Sequence, residues 1–170
     1  PAGNSEATGS VTISGTARED QTLTANTSGI ADADGLGAFS YQWLRDGSAI
    51  SGATGSSYTL GQADVGERIS LRVSFEDQAG YDEALTSALT ATVQNVNDAP
   101  EGGISINGTA RQGVLLTAQT SGLSDADGLG LFNYTWLRDG AAISGATGSS
   151  YRLTQSDVDE TISLRVSYTD

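Results

Sequence analysis

The residues best placed for chemistry are carboxylates. Asp32-Ala33-Asp34-Gly35 and Asp125-Ala126-Asp127-Gly128 each set two acids one residue apart beside a glycine, and Asp77 and Asp170 each close an alternating apolar run. Asn97-Asp98 adds an amide and a third acid just before Pro100. Carboxylate, amide and carbonyl oxygens are the ligands a hard cation such as Ca2+ takes, six to eight of them at ~2.3–2.6 Å. Like charges set together cost free energy until a cation neutralises them. A second reading stays open for each Asp pair: short acidic side chains also cap the backbone of their own turn.

Other chemistries are excluded by what is missing. The chain has no His and no Cys, so it holds no Ser-His-Asp triad, no ordinary zinc site and no disulfide. All 8 basic residues are Arg, which removes Schiff-base lysines as well. Paired carboxylates can hydrolyse glycosides, but that needs a cleft and one raised pKa, and nothing in the pattern implies a cleft. The expectation is a protein without catalytic function. A net charge of -13 argues against nucleic acid, whose phosphates need cationic partners, and against docking on an anionic membrane. No apolar run approaches the ~20 residues of a membrane-spanning helix, and no signal peptide is visible.

The acids recur because the chain repeats. DADGLGAFSYQWLRDGSAISGATGSSY, from Asp32, returns as DADGLGLFNYTWLRDGAAISGATGSSY, from Asp125. Trp43 returns as Trp136 at the same offset of 93 (136 − 43), which holds without a gap from Gly9/Gly102 to Asp77/Asp170. A period this long suits beads on a string rather than a solenoid. The expected domains are residues 1–99 and 100–170, the second lacking the counterpart of residues 78–99.

Each copy reads as strands. Ile69, Leu71, Val73 and Phe75 alternate with Ser70, Arg72 and Ser74, and Ile162, Leu164, Val166 and Tyr168 repeat the pattern. Leu85, Leu89, Ala91 and Val93 share one parity and predict a last strand. Asp46-Gly47 and Asp139-Gly140 are hairpin signals. Seven strands are expected in the first copy, near 11–14, 21–26, 39–45, 49–51, 57–60, 68–75 and 85–93. Trp43 and Trp136 suit core packing on a central strand better than sugar stacking. Asp64 and Asp157 are expected to fasten a turn by bonding to backbone. The fold expected is all-β: two tandem antiparallel sandwiches. A buried Trp on the third strand followed by a tight hairpin resembles the immunoglobulin fold, without its inter-sheet disulfide or tyrosine corner. In that strand order the loops holding Asp32/Asp34 and Asp77 share one pole, where the chain enters.

The segment Ala31-Asp32-Ala33-Asp34-Gly35 is similar to the DxD segment of cadherin repeats, and Asn97-Asp98-Ala99-Pro100 to the cadherin linker. Joined to the Trp-Leu-Arg-Asp-Gly and GATGSS segments, the module resembles the immunoglobulin- and cadherin-like repeats of giant bacterial adhesins, often of RTX type and associated with biofilms. It departs from cadherin in lacking the PE and LDRE-type motifs and in being one residue shorter than NDN. The resemblance implies an extracellular, cell-surface extender whose partners are neighbouring repeats. It also implies calcium held by Asp32, Asp34, Asp77, Asn97, Asp98, Asp125, Asp127 and Asp170. The alternative function is a carbohydrate- or protein-binding module of a secreted protein, which predicts exposed aromatics and loops that differ between copies. For the last strand of the second copy two explanations stand: a fragment boundary, or a strand supplied by another chain.

Overall fold

A computed structural model describes residues 3–170 and is all-β, with only two short 3₁₀ turns. The chain forms two compact units, Pro1–Val96 and Asn97–Asp170. The division falls at Val96/Asn97 rather than after Ala99, so Asn97-Asp98 belongs to the second unit.

In the first unit β1 (Thr8–Gly9), β2 (Thr12–Ser14), β3 (Thr22–Asn26), β4 (Ile30–Ala31), β5 (Ser40–Arg45), β6 (Ser48–Ala49), β7 (Ser57–Thr59), β8 (Ile69–Glu76) and β9 (Asp82–Thr86) follow in order. One sheet runs β2-β3-β7, with β1 pairing β4 beside it, and the other runs β6-β5-β8-β9. Every strand pairing is antiparallel. The two sheets face each other because the alternation demands it. Leu23 on β3, Trp43 on β5 and Ile69, Leu71, Val73 and Phe75 on β8 all turn inward and are buried. Trp43 is 0% exposed, lies over Tyr58 with ring centroids 6.0 Å apart, and donates its indole N–H to the Gly55 carbonyl at 2.9 Å. Truncating such a residue to alanine costs about 3–5 kcal/mol. The β5–β6 hairpin closes through Asp46 (φ 44) and Gly47 (φ 82), the double positive φ that an Asp-Gly pair adopts most readily.

The predicted last strand needs correcting. Only Asp82–Thr86 pairs with β8 as a strand. Beyond it Ser87 and Thr90 turn their hydroxyls to the β8 backbone, accepting from Leu71 N–H at 2.9 Å and Ile69 N–H at 3.0 Å. That breaks the alternation, so Leu89 stands exposed while Val93 re-enters the core at 2% exposure.

The second unit repeats the plan with β10 (Glu101–Gly102), β11 (Ser105–Asn107), β12 (Leu115–Gln119), β13 (Leu123–Ser124), β14 (Asn133–Arg138), β15 (Ala141–Ala142), β16 (Ser150–Arg152) and β17 (Ile162–Ser167). Its sheets are β11-β12-β16 and β15-β14-β17, with β10 pairing β13. Among the described residues β17 has β14 as its one neighbour. The core is smaller in consequence: Leu116, Trp136, Ala146 and Leu153 are buried, but Ile162, Leu164 and Val166 are only half-buried.

Asp64 and Asp157 do more than the turn role expected of them. Each accepts the N–H of the residue three before it, Gly61 or Thr154, and each also anchors a strand. Arg45 reaches Asp64 at 2.7 Å and Tyr58 donates to it at 2.8 Å. Arg138 reaches Asp157 at 2.6 Å and Tyr151 donates at 2.9 Å. Burial pushes the Asp157 carboxyl up. The Thr154 N–H, the Arg138 guanidinium and the Tyr151 and Thr154 hydroxyls outweigh it and hold the group down at about 2, against an ordinary 3.8. A depressed carboxylate pKa contributes stability that is present above the unfolded value and lost as pH falls through the folded one. The second unit should therefore lose thermal stability between about pH 4 and pH 2, and Asp157→Asn should flatten that dependence while lowering the neutral-pH melting temperature. Calorimetric melts across this range check it.

Candidate metal centre

The Asp-rich loop between β4 and β5 is pressed against the end of β8. A β-carbon at Gly37 would lie 1.9 Å from the Glu76 carbonyl oxygen, and one at Gly130 the same distance from that of Thr169. Only glycine permits this approach, and it is what brings Asp32 to Asp77 and Asp125 to Asp170.

In the first unit oxygens of Asp32, Asp77 and Glu83 lie within 4.8 Å of one another. Each carboxylate is oriented by the backbone. Asp32 Oδ1 accepts the Asp34 N–H at 2.8 Å, and Asp77 Oδ1 accepts from Ala79 and Tyr81, both at 2.8 Å. Glu83 takes the Ala7 N–H at 3.3 Å and the Asn4 side-chain amide at 2.6 Å. The turn-capping reading is thus realised at Asp32 and Asp77, but with one oxygen of each only. Asp32 Oδ2 and Asp77 Oδ2 are both buried with no hydrogen-bond partner, and Asp77 is 4% exposed. A buried carboxylate oxygen without a donor costs free energy that a hard cation would offset. Three carboxylates within that spacing can all reach one divalent ion, so the residues fit such a group. Asp34, predicted as a ligand, gives its Oδ2 to the Ser5 N–H at 2.7 Å and ties the entering chain to the loop. Glu83, on β9, belongs to the cluster although the ligand set predicted from sequence omits it. The signal available was its place among the acids that follow β8.

The second unit brings Asp125, Asp127 and Asp170 within the same 4.8 Å. Asp127 N–H bonds to Asp125 Oδ1 at 3.0 Å, and Asp98 N–H to Asp127 Oδ2 at 2.7 Å, the counterpart of Ser5 on Asp34. Asn97 turns its amide to the Asp98 carbonyl at 2.9 Å. The two clusters differ in two respects: the second contains Asp127, the counterpart of Asp34, where the first contains Glu83, and one of their oxygens is satisfied differently. Where the first unit has Phe75, the second has Tyr168, whose hydroxyl donates to Asp125 Oδ2. That bond to a carboxylate pushes the Tyr168 phenol up to about 12. The rings sit alike, edge-on to Phe39 at 5.5 Å and to Phe132 at 5.8 Å, so the hydroxyl alone decides whether this oxygen is free.

No protein-family model and no curated protein matches the chain. No helix among the described residues is long and apolar enough to cross a membrane.

Phe75→Tyr should place a donor on Asp32 Oδ2 and weaken cation binding by the first unit about tenfold, the cost of breaking one charge-assisted hydrogen bond. Tyr168→Phe should strengthen binding by the second. Calorimetric calcium titrations of the two variants against the wild type test this pair of opposite effects.

Proposed function

We propose that these tandem sandwiches are calcium-stabilised spacer modules of a large bacterial surface adhesin, working outside the cell to hold a ligand-binding region away from it. The observation that carries the reading is the pair of buried, partnerless oxygens on Asp32 and Asp77, set beside Glu83 at the end of the module where the chain enters. Without a cation three carboxylates repel one another there. With Ca2+ the loop after β4, the turn after β8 and strand β9 are tied through a single ion. Millimolar external calcium suits the weak sites of extracellular modules, with Kd ~10⁻⁴–10⁻³ M.

The repeat supports a spacing role. Loops that recur nearly unchanged, as GATGSS does at 52–57 and 145–150, suit a part whose work is to be repeated rather than to discriminate among ligands. Eight-residue β8 extends about 27 Å, so each added module lengthens the protein by a comparable step. The indoles of Trp43 and Trp136 are both 0% exposed, which removes them as sugar-stacking surfaces and counts against a carbohydrate-binding role.

Asp77→Asn separates the cation from the turn. The amide oxygen still accepts from Ala79 and Tyr81, but a charge and the inward oxygen are lost. The expected result is a melting temperature above wild type in chelator, where repulsion is relieved, and a smaller rise on adding calcium. A ligand at 100 times its Kd stabilises a fold by about 2.7 kcal/mol, so the wild-type rise should be several degrees. Wild-type melts and small-angle scattering that ignore millimolar calcium would defeat the proposal.

A further inference from the structure

Three segments match the Asn-x-Ser/Thr pattern that accepts sugar on an amide nitrogen: Asn26-Thr27-Ser28, Asn107-Gly108-Thr109 and Asn133-Tyr134-Thr135. The pattern by itself is common, and the fold separates the three. Asn133 lies within β14 opposite Ser167, and Thr135 follows on the same face of the strand. Extended backbone sets the α-carbons of such residues about 7 Å apart, so amide and hydroxyl do not meet. Asn107 ends β11 opposite Thr117, and the chain then passes through Gly108 at φ 122. Among the described residues no hydrogen bond joins Thr109 to the Asn107 amide. Asn26 is different. It is exposed at the end of β3, and the chain turns at once, Ile30 N–H donating to Thr27 O at 3.1 Å. Asn26 Oδ1 accepts the Ser28 N–H at 3.1 Å and the Ser28 hydroxyl at 2.7 Å. A backbone N–H can only donate, so the oxygen of this amide is the atom fixed on Ser28. Nδ2, the atom that carries a sugar, is left with no protein acceptor among the described residues. The second unit keeps the turn, with Leu123 N–H on Thr120 O at 3.0 Å, but has half-buried Gln119 in place of Asn26.

We propose that Asn26 is a glycosylation site, taking a sugar whose anomeric carbon is activated by a phosphate leaving group. The bond from Asn26 Nδ2 to the anomeric carbon forms as the bond from that carbon to the phosphate oxygen breaks. The phosphate leaves with the electron pair of the broken bond, and one Nδ2 proton passes to a base of the transferase. No oxidant or reductant takes part. Ser28 is a positioning residue: its hydroxyl and N–H hold the amide oxygen and so present the nitrogen to solvent. Asn26 and Ser28 are both exposed, so a sugar is added without displacing a core contact. Neither the acidic clusters nor calcium is involved.

The test is mass spectrometry, intact and after digestion, of the protein purified from the cells that make it. Asn26→Gln, Ser28→Ala and Ser28→Thr versions made in the same cells are measured beside it. The expected outcome is whole sugar residues on the peptide that holds Asn26 and none on those that hold Asn107 or Asn133. Asn26→Gln and Ser28→Ala should lose the sugar, and Ser28→Thr, which restores the hydroxyl, should keep it. Surface changes of this kind leave the fold intact, so the variants should melt with the unglycosylated wild type. An oligosaccharide attached as one block identifies a lipid-linked donor, and single hexoses a nucleotide-linked one. A bare Asn26, equal modification of Asn107 or Asn133, or a Ser28→Ala chain as fully modified as wild type would each overturn the inference.

Discussion

Each unit is organised around a tryptophan that no solvent reaches. Trp43 and Trp136 lie between two sheets that offer few other large side chains, in a chain with only 2 Trp, 3 Phe and 6 Tyr. Burying an indole supplies much of the apolar area available to a module this small, and the indole N–H needs a partner once it is inside. The Gly55 and Gly148 carbonyls provide one, which fixes the loop before β7 or β16 against the central strand. From there the frame is set. The Arg45–Asp64–Tyr58 and Arg138–Asp157–Tyr151 networks pin the turn at one end of each sandwich, leaving the loops at the other end to carry the acids.

Those acids show how one carboxylate can serve structure and ligand together. In the first unit one oxygen of Asp32 and one of Asp77 accept backbone N–H groups, which shapes the turns and aims the remaining oxygen inward. The capping and cation-binding readings are therefore not rivals. The first positions the group that the second would use. In the second unit the Tyr168 phenol satisfies the Asp125 oxygen whose counterpart on Asp32, beside Phe75, is bare.

The two units also compare the same core with and without its final segment. Residues 82–96 bury Val93 and complete the edge of β8, and with them Ile69, Leu71 and Val73 are sealed. Among the described residues β17 pairs with β14 alone, and Ile162, Leu164 and Val166 are only half-buried. A module of this size depends on such increments, since its total stability is a small difference between large opposing terms.

Period-two alternation, the Asp-Gly turns and the 93-residue repeat determined the all-β class, the central strands and the buried tryptophans, because these follow from local geometry and from copying. The sequence also marked the acids at Asp32, Asp77, Asp125 and Asp170, since charge clustering is visible without coordinates. Tertiary structure decided the rest. The parity of Leu85, Leu89, Ala91 and Val93 suggested one long strand, yet side-chain hydroxyls from Ser87 and Thr90 compete for the β8 backbone and break it, a competition that alternation cannot register. Glu83 joins the acidic cluster because β9 pairs with β8. Which carboxylate oxygens lie bare depends on hydrogen bonds between residues far apart in the chain, and that is settled only when the loops close against each other at Gly37 and Gly130.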